Sequence, residues 1–176
     1  MMQNQYEILL KDLNELIEIN YNRIENYRKA EQNMDGGDLK NLFHGMLNES
    51  EHFAEALAEH VVKFGGQPAT SSTLIGKAHQ IWVDFKASIV SNNRETILNS
   101  CESGDKATLE TYETVLASDK VQASPDLSQL LKSQISSITE SLKIIQSLKK
   151  SQHHAKAEQE VLDNQQEVLD KPMPVS

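Results

Sequence analysis

Glu49 and His52, together with Asp105, are the residues best suited to chemistry in this sequence. Glu49 and His52 form a Glu-x-x-His pair, whose members project from one side of a helix. Carboxylate oxygens and imidazole nitrogens bind divalent transition metals, and di-metal sites in helical bundles combine such pairs with carboxylates from other helices. The three residues therefore form a candidate metal centre.

The remainder of a di-metal ligand set is neutral in this sequence. An offset of 85 positions aligns Asn20 with Asp105. The same offset aligns Glu49 with Gln134, so amides stand at two positions where a di-metal site needs carboxylates. A di-iron oxidase centre is therefore disfavoured, whereas a single Fe, Mn or Zn ion is compatible with the sequence. The candidate ligands are Glu49, His52 and Asp105, with Asn20, Glu102 and Gln134 as further candidates.

The alternative is a hydrogen-bonded polar layer that binds no cofactor. Buried polar groups need hydrogen-bond partners, and a connected set of them can fix the register of the helices. His52 would then lie partly exposed beside the layer. We favour this alternative. The predicted layer consists of Asn20, Tyr27, Glu49, Asp105, Tyr112 and Gln134.

Two helical hairpins, residues 5–64 and 92–150, must position these side chains, and they resemble copies of one unit. In the first hairpin, apolar residues at helical spacing predict a helix over about residues 5–33. A turn follows, in which Asp38 can cap a second helix. Glycines at residues 65–66 predict the end of that helix.

The second hairpin has its own start signals. Asn92, with Glu95 three residues later, resembles a capping box, and Ser124 followed by Pro125 predicts the start of the last helix. The connection over residues 65–91 contains a further helical pattern of about 18 residues, which spans roughly 27 Å and can cross the bundle. We therefore predict an all-α, ferritin-like four-helix bundle with one long helical crossover between the second and third helices.

Residues 1–150 form the predicted bundle, and residues 151–176 form a polar tail that is either a frayed helix or disordered. The crossover carries large apolar side chains at the outside or edge of the core, and such patches often mark interfaces. We therefore expect a homodimer, and the sequence identifies no other protein partner. The side chains concerned are Ile81, Trp82, Phe85 and Ile89.

Composition argues against several functional classes. The formal net charge is -9, with 26 acidic against 17 basic residues and no basic stripe along a predicted helix, which disfavours nucleic acid binding. No apolar run is long enough to cross a membrane, and the first residues lack the basic and apolar regions of a signal peptide, so we expect a cytoplasmic protein. The single cysteine, Cys101, lies on an apolar helical face and is expected to be a buried, unreactive thiol.

Four separated segments resemble a bacterial family of ferritin-like four-helix-bundle proteins known as a domain of unknown function. The segments are Leu13–Asn20, Phe64–Pro68, Trp82–Lys86 and Cys101–Asp105. The resemblance covers about residues 5–150 and implies a ferritin-like bundle in a bacterial cytoplasm, with no established activity. We expect a non-catalytic accessory, interaction or stress-related protein. The alternative is a metal-binding ferritin-like oxidoreductase or metal store.

Overall fold

The computed structural model describes residues 2–34, 36–71 and 93–170, and the regular secondary structure in these ranges is helical. The helices are α1 (Met2–Asn33), α2 (Gly37–Lys63), α3 (Arg94–Leu116), the short α4 (Asp119–Gln122) and α5 (Pro125–Asp170). The predicted all-α fold is confirmed. None of the helices in the described ranges has the length and apolar content needed to cross a membrane. The predicted crossover helix and its four apolar side chains lie outside the described residues.

Two helix ends lie where local sequence signals predict them. After α2, Gly65 adopts a left-handed conformation with φ of 79°, which glycine reaches without the steric cost of a Cβ atom. Its N–H donates to the Val62 carbonyl at 2.9 Å, and that of Gly66 donates to the Val61 carbonyl at 2.9 Å. Helix α5 begins at Pro125, as predicted.

Two predicted caps were wrong by one or two residues. The cap of α3 is Asn93, not Asn92, because the Asn93 side-chain oxygen accepts the backbone N–H of Glu95 at 2.9 Å. Helix α2 begins at Gly37, so Asp38 lies inside its first turn and does not cap it. There the Asp38 carboxylate accepts a hydrogen bond from Arg94 at 3.2 Å.

Adjacent helices run antiparallel. Along α1, Asn20 meets Tyr112 and the later Arg23 meets the earlier Asp105, so α1 and α3 point in opposite directions. Ion pairing of Arg94 with Asp38 places the start of α3 beside the start of α2. The chain therefore leaves α2 at one end of the bundle and enters α3 at the other, which is the topology of a bundle with one long crossover.

The apolar core is divided into two clusters. One surrounds Tyr27 and Phe43, and the other surrounds Leu13 and Leu131. Between these clusters, polar side chains are buried at the middle of the bundle. They are Asn20, Arg23, Ser50, Asp105, Thr108 and Gln134. The candidate site lies among them.

Helix α5 continues well beyond residue 150. Residues 150–167 form what we call the α5 extension, and every side chain from residue 153 to residue 167 is exposed. At 1.5 Å per residue, the extension is about 27 Å long.

Candidate functional site

The guanidinium group of Arg23 lies at the centre of the bundle. Arg23 comes from α1, its side chain is fully buried, and its Nε donates to Asp105 Oδ1 on α3 at 3.0 Å. Its Nη1 donates to the hydroxyl oxygen of Ser50 on α2 at 3.0 Å. A carboxylate oxygen of Glu49, also on α2, lies 3.8 Å from Nη2. We call these four residues the arginine layer.

The acidic side chains of the arginine layer stabilise the positive charge of Arg23. Burial alone would lower the pKa of Arg23, but the negative charge of Asp105, with a contribution from Glu49, raises it above its ordinary value. The guanidinium carbon also lies 5.5 Å from the centre of the Tyr27 ring, a distance at which a cation is attracted to the aromatic face. Arg23 is therefore a permanent positive charge inside the bundle.

Glu49 lies at the edge of this layer. Its side chain is 26 % exposed, whereas those of Arg23 and Asp105 are fully buried. Burial raises the pKa of the Glu49 carboxyl above its usual value, although the charge of Arg23 and a hydrogen bond with Ser141 on α5 oppose the rise. Through Ser141 the layer reaches the fourth long helix, so all four long helices meet at this level of the bundle.

A second buried layer lies next to the first and joins the same four helices. The amide of Asn20 on α1 donates to the Tyr112 hydroxyl on α3 at 2.6 Å, and that hydroxyl donates to Gln134 Oε1 on α5 at 2.9 Å. The Gln134 amide in turn donates to the carbonyl of Phe53 on α2 at 3.3 Å. We call Asn20, Tyr112 and Gln134 the tyrosine layer.

The phenol and thiol groups in and beside the two layers are held in their uncharged forms. Burial raises the pKa of Tyr112, and it raises the pKa of Tyr27, where the negative charge of Asp105 adds to the effect. Burial also raises the pKa of the Cys101 thiol well above its usual value. Since a thiol or phenol needs its deprotonated form to act as a nucleophile, these groups suit packing and hydrogen bonding rather than covalent catalysis.

The predicted site residues fall into two groups in the structure. Six of them lie in or beside the buried layers: Asn20, Tyr27, Glu49, Asp105, Tyr112 and Gln134. His52 lies outside, because its ring is exposed on α2 and its Nδ1 contacts the Asn48 carbonyl of its own helix at 2.8 Å. Glu102 also lies outside, where it pairs with Lys106 and Lys149.

A di-metal centre of the ferritin-like kind does not fit these residues. The Asp105 carboxylate is bound by a guanidinium group, and the imidazole of His52 is not directed at the centre. In the parts of the chain that the structure describes, no group of three or more His, Cys, Asp and Glu side chains is arranged to hold a metal ion. The positive charge of Arg23 would moreover repel a divalent cation placed beside Asp105.

Sequence reasoning missed Arg23 itself. Arg23 follows Asn20 by three residues and precedes Tyr27 by four, which is the spacing of one helical face, so the pattern contained a signal. Arginine is almost never fully buried without a partner, and this preference predicts an exposed side chain. Its partners, Ser50 and Asp105, are 27 and 82 positions away, and helical periodicity within α1 does not identify them.

The family assignment agrees with the fold. Residues 9–118 match the family described as Domain of unknown function (DUF2383). This match spans more than half of the chain, so the chain belongs to that family. No curated protein has a matching sequence.

Two solved structures have the same fold. Bacterioferritin from Desulfovibrio desulfuricans, described with a diiron site, is 18 % identical with a TM-score of 0.69, covering 85 % of this chain and 82 % of its own. A ferritin-like, diiron-carboxylate protein from Bacillus anthracis str. Ames is 20 % identical with a TM-score of 0.67, covering 82 % of this chain and 96 % of its own. The predicted ferritin-like bundle is therefore confirmed, and at these identities the likeness concerns the fold alone.

Proposed function

We propose that this DUF2383 protein is a non-catalytic accessory protein, acting in protein interaction or stress response, whose ferritin-like bundle is closed at its centre by an ion pair. The observation that carries the proposal is the contact between Arg23 Nε and Asp105 Oδ1, at 3.0 Å with both side chains fully buried. The guanidinium supplies the positive charge that carboxylates at the middle of such bundles otherwise share with metal ions. The same arrangement supports an architectural role for the two polar layers.

Energetics support this role. Removing one partner of a buried ion pair costs about 3–5 kcal/mol, because the other charge remains without compensation. A metal ion at Asp105 would have to displace Arg23 from its carboxylate and leave the guanidinium in the core. A metal ion at Asp105 would therefore have to offset the cost of an unpaired, buried guanidinium group.

The competing proposal is a metal-binding oxidoreductase or metal store for Fe, Mn or Zn. It is supported by the fold shared with two proteins described as diiron proteins, and by the partial exposure of Glu49. We propose that the protein acts in a bacterial cytoplasm, which the bacterial sources of the two solved structures described above support.

Metal content distinguishes the two proposals. The chain is purified after growth with added iron and manganese, and its metals are measured by elemental analysis. We expect far less than one metal ion per chain, and no change in melting temperature when Fe²⁺, Mn²⁺ or Zn²⁺ is added. If the wild type instead contains nearly one metal ion per chain, and both Glu49→Gln and His52→Ala lose it, the proposal of a non-catalytic accessory protein is overturned.

The Glu49→Gln variant also has a predicted melting behaviour. An amide retains hydrogen-bonding capacity and removes the cost of partly burying an acid, so the variant should melt within a few degrees of the wild type. Glu51→Gln, two residues further along α2 and paired with exposed Arg28, is the matched control. A large loss of stability in Glu49→Gln alone would show that this carboxylate holds a cation that the core requires.

A further inference from the structure

Within the part of the chain that the structure describes, the α5 extension buries almost no side chain against the bundle. Every side chain from residue 153 to residue 167 is exposed, including Val161 at 55 % and Leu162 at 58 %. Among the described residues, a long-range contact between titratable side chains reaches the start of the extension, where His153 Nε2 lies 4.0 Å from Glu95 Oε1. Isolated helices of this length are marginal in water, and most helical stability comes from packing of an apolar face. A partner surface that covers its apolar side chains would therefore stabilise the extension.

Charge is segregated along the extension. Its first part carries Lys150 and Lys156 and no acid, and the part after Ala157 carries acids and no base. The acids are Glu158, Glu160, Asp163 and Glu167. The boundary between the two halves falls at Ala157, near the middle of the extension. A complementary partner would place acidic side chains beside the first half of the extension and basic side chains beside the second half.

An apolar strip runs beside this boundary. Ala157, Val161 and Leu162 line a shallow groove along the helix, with His154 and Gln165 at its two ends. Positions 154, 157 and 161 are separated by three and four residues, so they share one face, as the contact positions of paired helices do. The small side chain of Ala157 allows two helices to approach closely where they cross.

We propose that the α5 extensions of two copies of this chain pair in antiparallel orientation about a twofold axis near Ala157. Antiparallel pairing places the basic half of each copy beside the acidic half of its partner, whereas parallel pairing would place like charges together. The twofold axis makes both contacts identical, as in most homodimers. Since the paired segment is only about 27 Å long, the interface is small and the dimer is reversible and concentration-dependent.

The α5 extension does not contact the arginine layer. A test that disproves the dimer therefore leaves the proposed function standing, and the reverse also holds. The extension also differs from the apolar crossover side chains on which the sequence-based expectation of a homodimer rests. The partner it specifies is a second copy of the chain, because the sequence of the extension supplies both halves of the charge pattern.

Charge reversal tests the proposal directly. One variant carries Lys150→Glu and Lys156→Glu, and a second carries Glu160→Lys and Asp163→Lys. Sedimentation velocity over a range of concentrations should show the wild type approaching twice the mass of one chain. Each variant alone should remain monomeric at the same concentrations, and an equimolar mixture of the two should recover the dimer. Circular dichroism checks that the exposed substitutions leave the fold intact.

A control and a second measurement locate the interface. The double variant Glu55→Lys/Glu59→Lys, on an exposed surface of α2, should dimerise like the wild type. Ala157→Cys should form a covalent dimer under mild oxidation, because the native Cys101 is buried, while Glu59→Cys should not. A wild type that stays monomeric at high micromolar concentration would overturn the proposal. So would a dimer that persists in both charge variants, or a mixture that fails to dimerise.

Discussion

Two regions of the bundle each contain a carboxylate paired with basic side chains, but their exposure to solvent differs. One is the arginine layer, and the other consists of Glu102, Lys106 and Lys149, which we call the Glu102 network. In the arginine layer, Arg23 and Asp105 have no exposed side-chain surface. In the Glu102 network, the carboxylate of α3 accepts hydrogen bonds from Lys106 at 2.6 Å and from Lys149 on α5, and Lys106 is 57 % exposed. Arg23 and Asp105 have lost all contact with water, whereas the Glu102 network keeps contact with solvent mainly through Lys106, since the Glu102 side chain is itself 14 % exposed.

This difference decides how much each pairing contributes to folding. A partly exposed ion pair can exchange its partner for water, so its loss costs less. A buried charge that loses its partner has no water to replace it, so the loss is severe. Loss of one partner in the Glu102 network is therefore expected to be mild, whereas Arg23 and Asp105 each need the other as long as either charge is buried.

Arg23→Met should cause the largest loss of stability. Methionine fills much of the same volume but leaves the fully buried Asp105 without a cation, and the free energy of unfolding should fall by about 3–5 kcal/mol at pH 7. Urea unfolding measures the change. Arg28→Met on the same helix, where the arginine is 49 % exposed, is the control and should change stability by less than about 0.5 kcal/mol. Equal losses in the two variants would contradict the comparison.

Removing both charges should restore most of that loss. The double variant Arg23→Met/Asp105→Leu has no charge at either position. Apolar replacement of a buried ion pair is often neutral or stabilising. We expect the double variant to be more stable than Arg23→Met by about 2–4 kcal/mol in urea unfolding. If the double variant is instead as unstable as the sum of the two single variants, the pair is not coupled as the 3.0 Å contact implies.

Tyr112→Phe tests the tyrosine layer with a smaller effect. The hydroxyl connects the amides of Asn20 and Gln134, and its loss leaves both buried amides short of a partner. Unsatisfied buried polar groups cost about 1–3 kcal/mol, which thermal or urea unfolding can measure. Tyr6→Phe is the control, because the Tyr6 side chain is 47 % exposed. No difference between the two variants would mean that the layer does not stabilise the bundle.

Glu102→Gln should have the smallest effect, and that effect should depend on pH. Hydrogen bonds from Lys106 and Lys149 lower the pKa of the Glu102 carboxyl from 4.5 to about 2. Because the folded pKa is lowered, this stabilisation is complete above pH 4.5 and is lost as the pH falls towards 2.

At pH 7 the substitution should cost about 0.5–1 kcal/mol, and the difference from the wild type should narrow as the pH is lowered through this range. Unfolding curves at several pH values measure it. Glu140→Gln, at an exposed pair with Lys143, provides the comparison for a surface substitution. A Glu102→Gln difference that stays constant with pH would show that packing, rather than charge, is responsible.

The sequence by itself determined the helices and the faces that carry the polar centre. Periodicity placed Asn20, Tyr27, Asp105 and Tyr112 on inner faces, and Gly65 and Pro125 ended and began helices where predicted. These features are local, because the geometry of a helix fixes which residues share a face within a few turns.

Only the tertiary structure decided which side chain occupies the centre. Arg23 is buried because Ser50 and Asp105, from two other helices, meet it at hydrogen-bond distance, and no pattern within α1 supplies those partners. The same packing leaves His52 facing solvent, although its spacing from Glu49 suits a metal ligand. The energy of a buried charge depends on every group around it, so its position is a property of the assembled bundle rather than of any one helix.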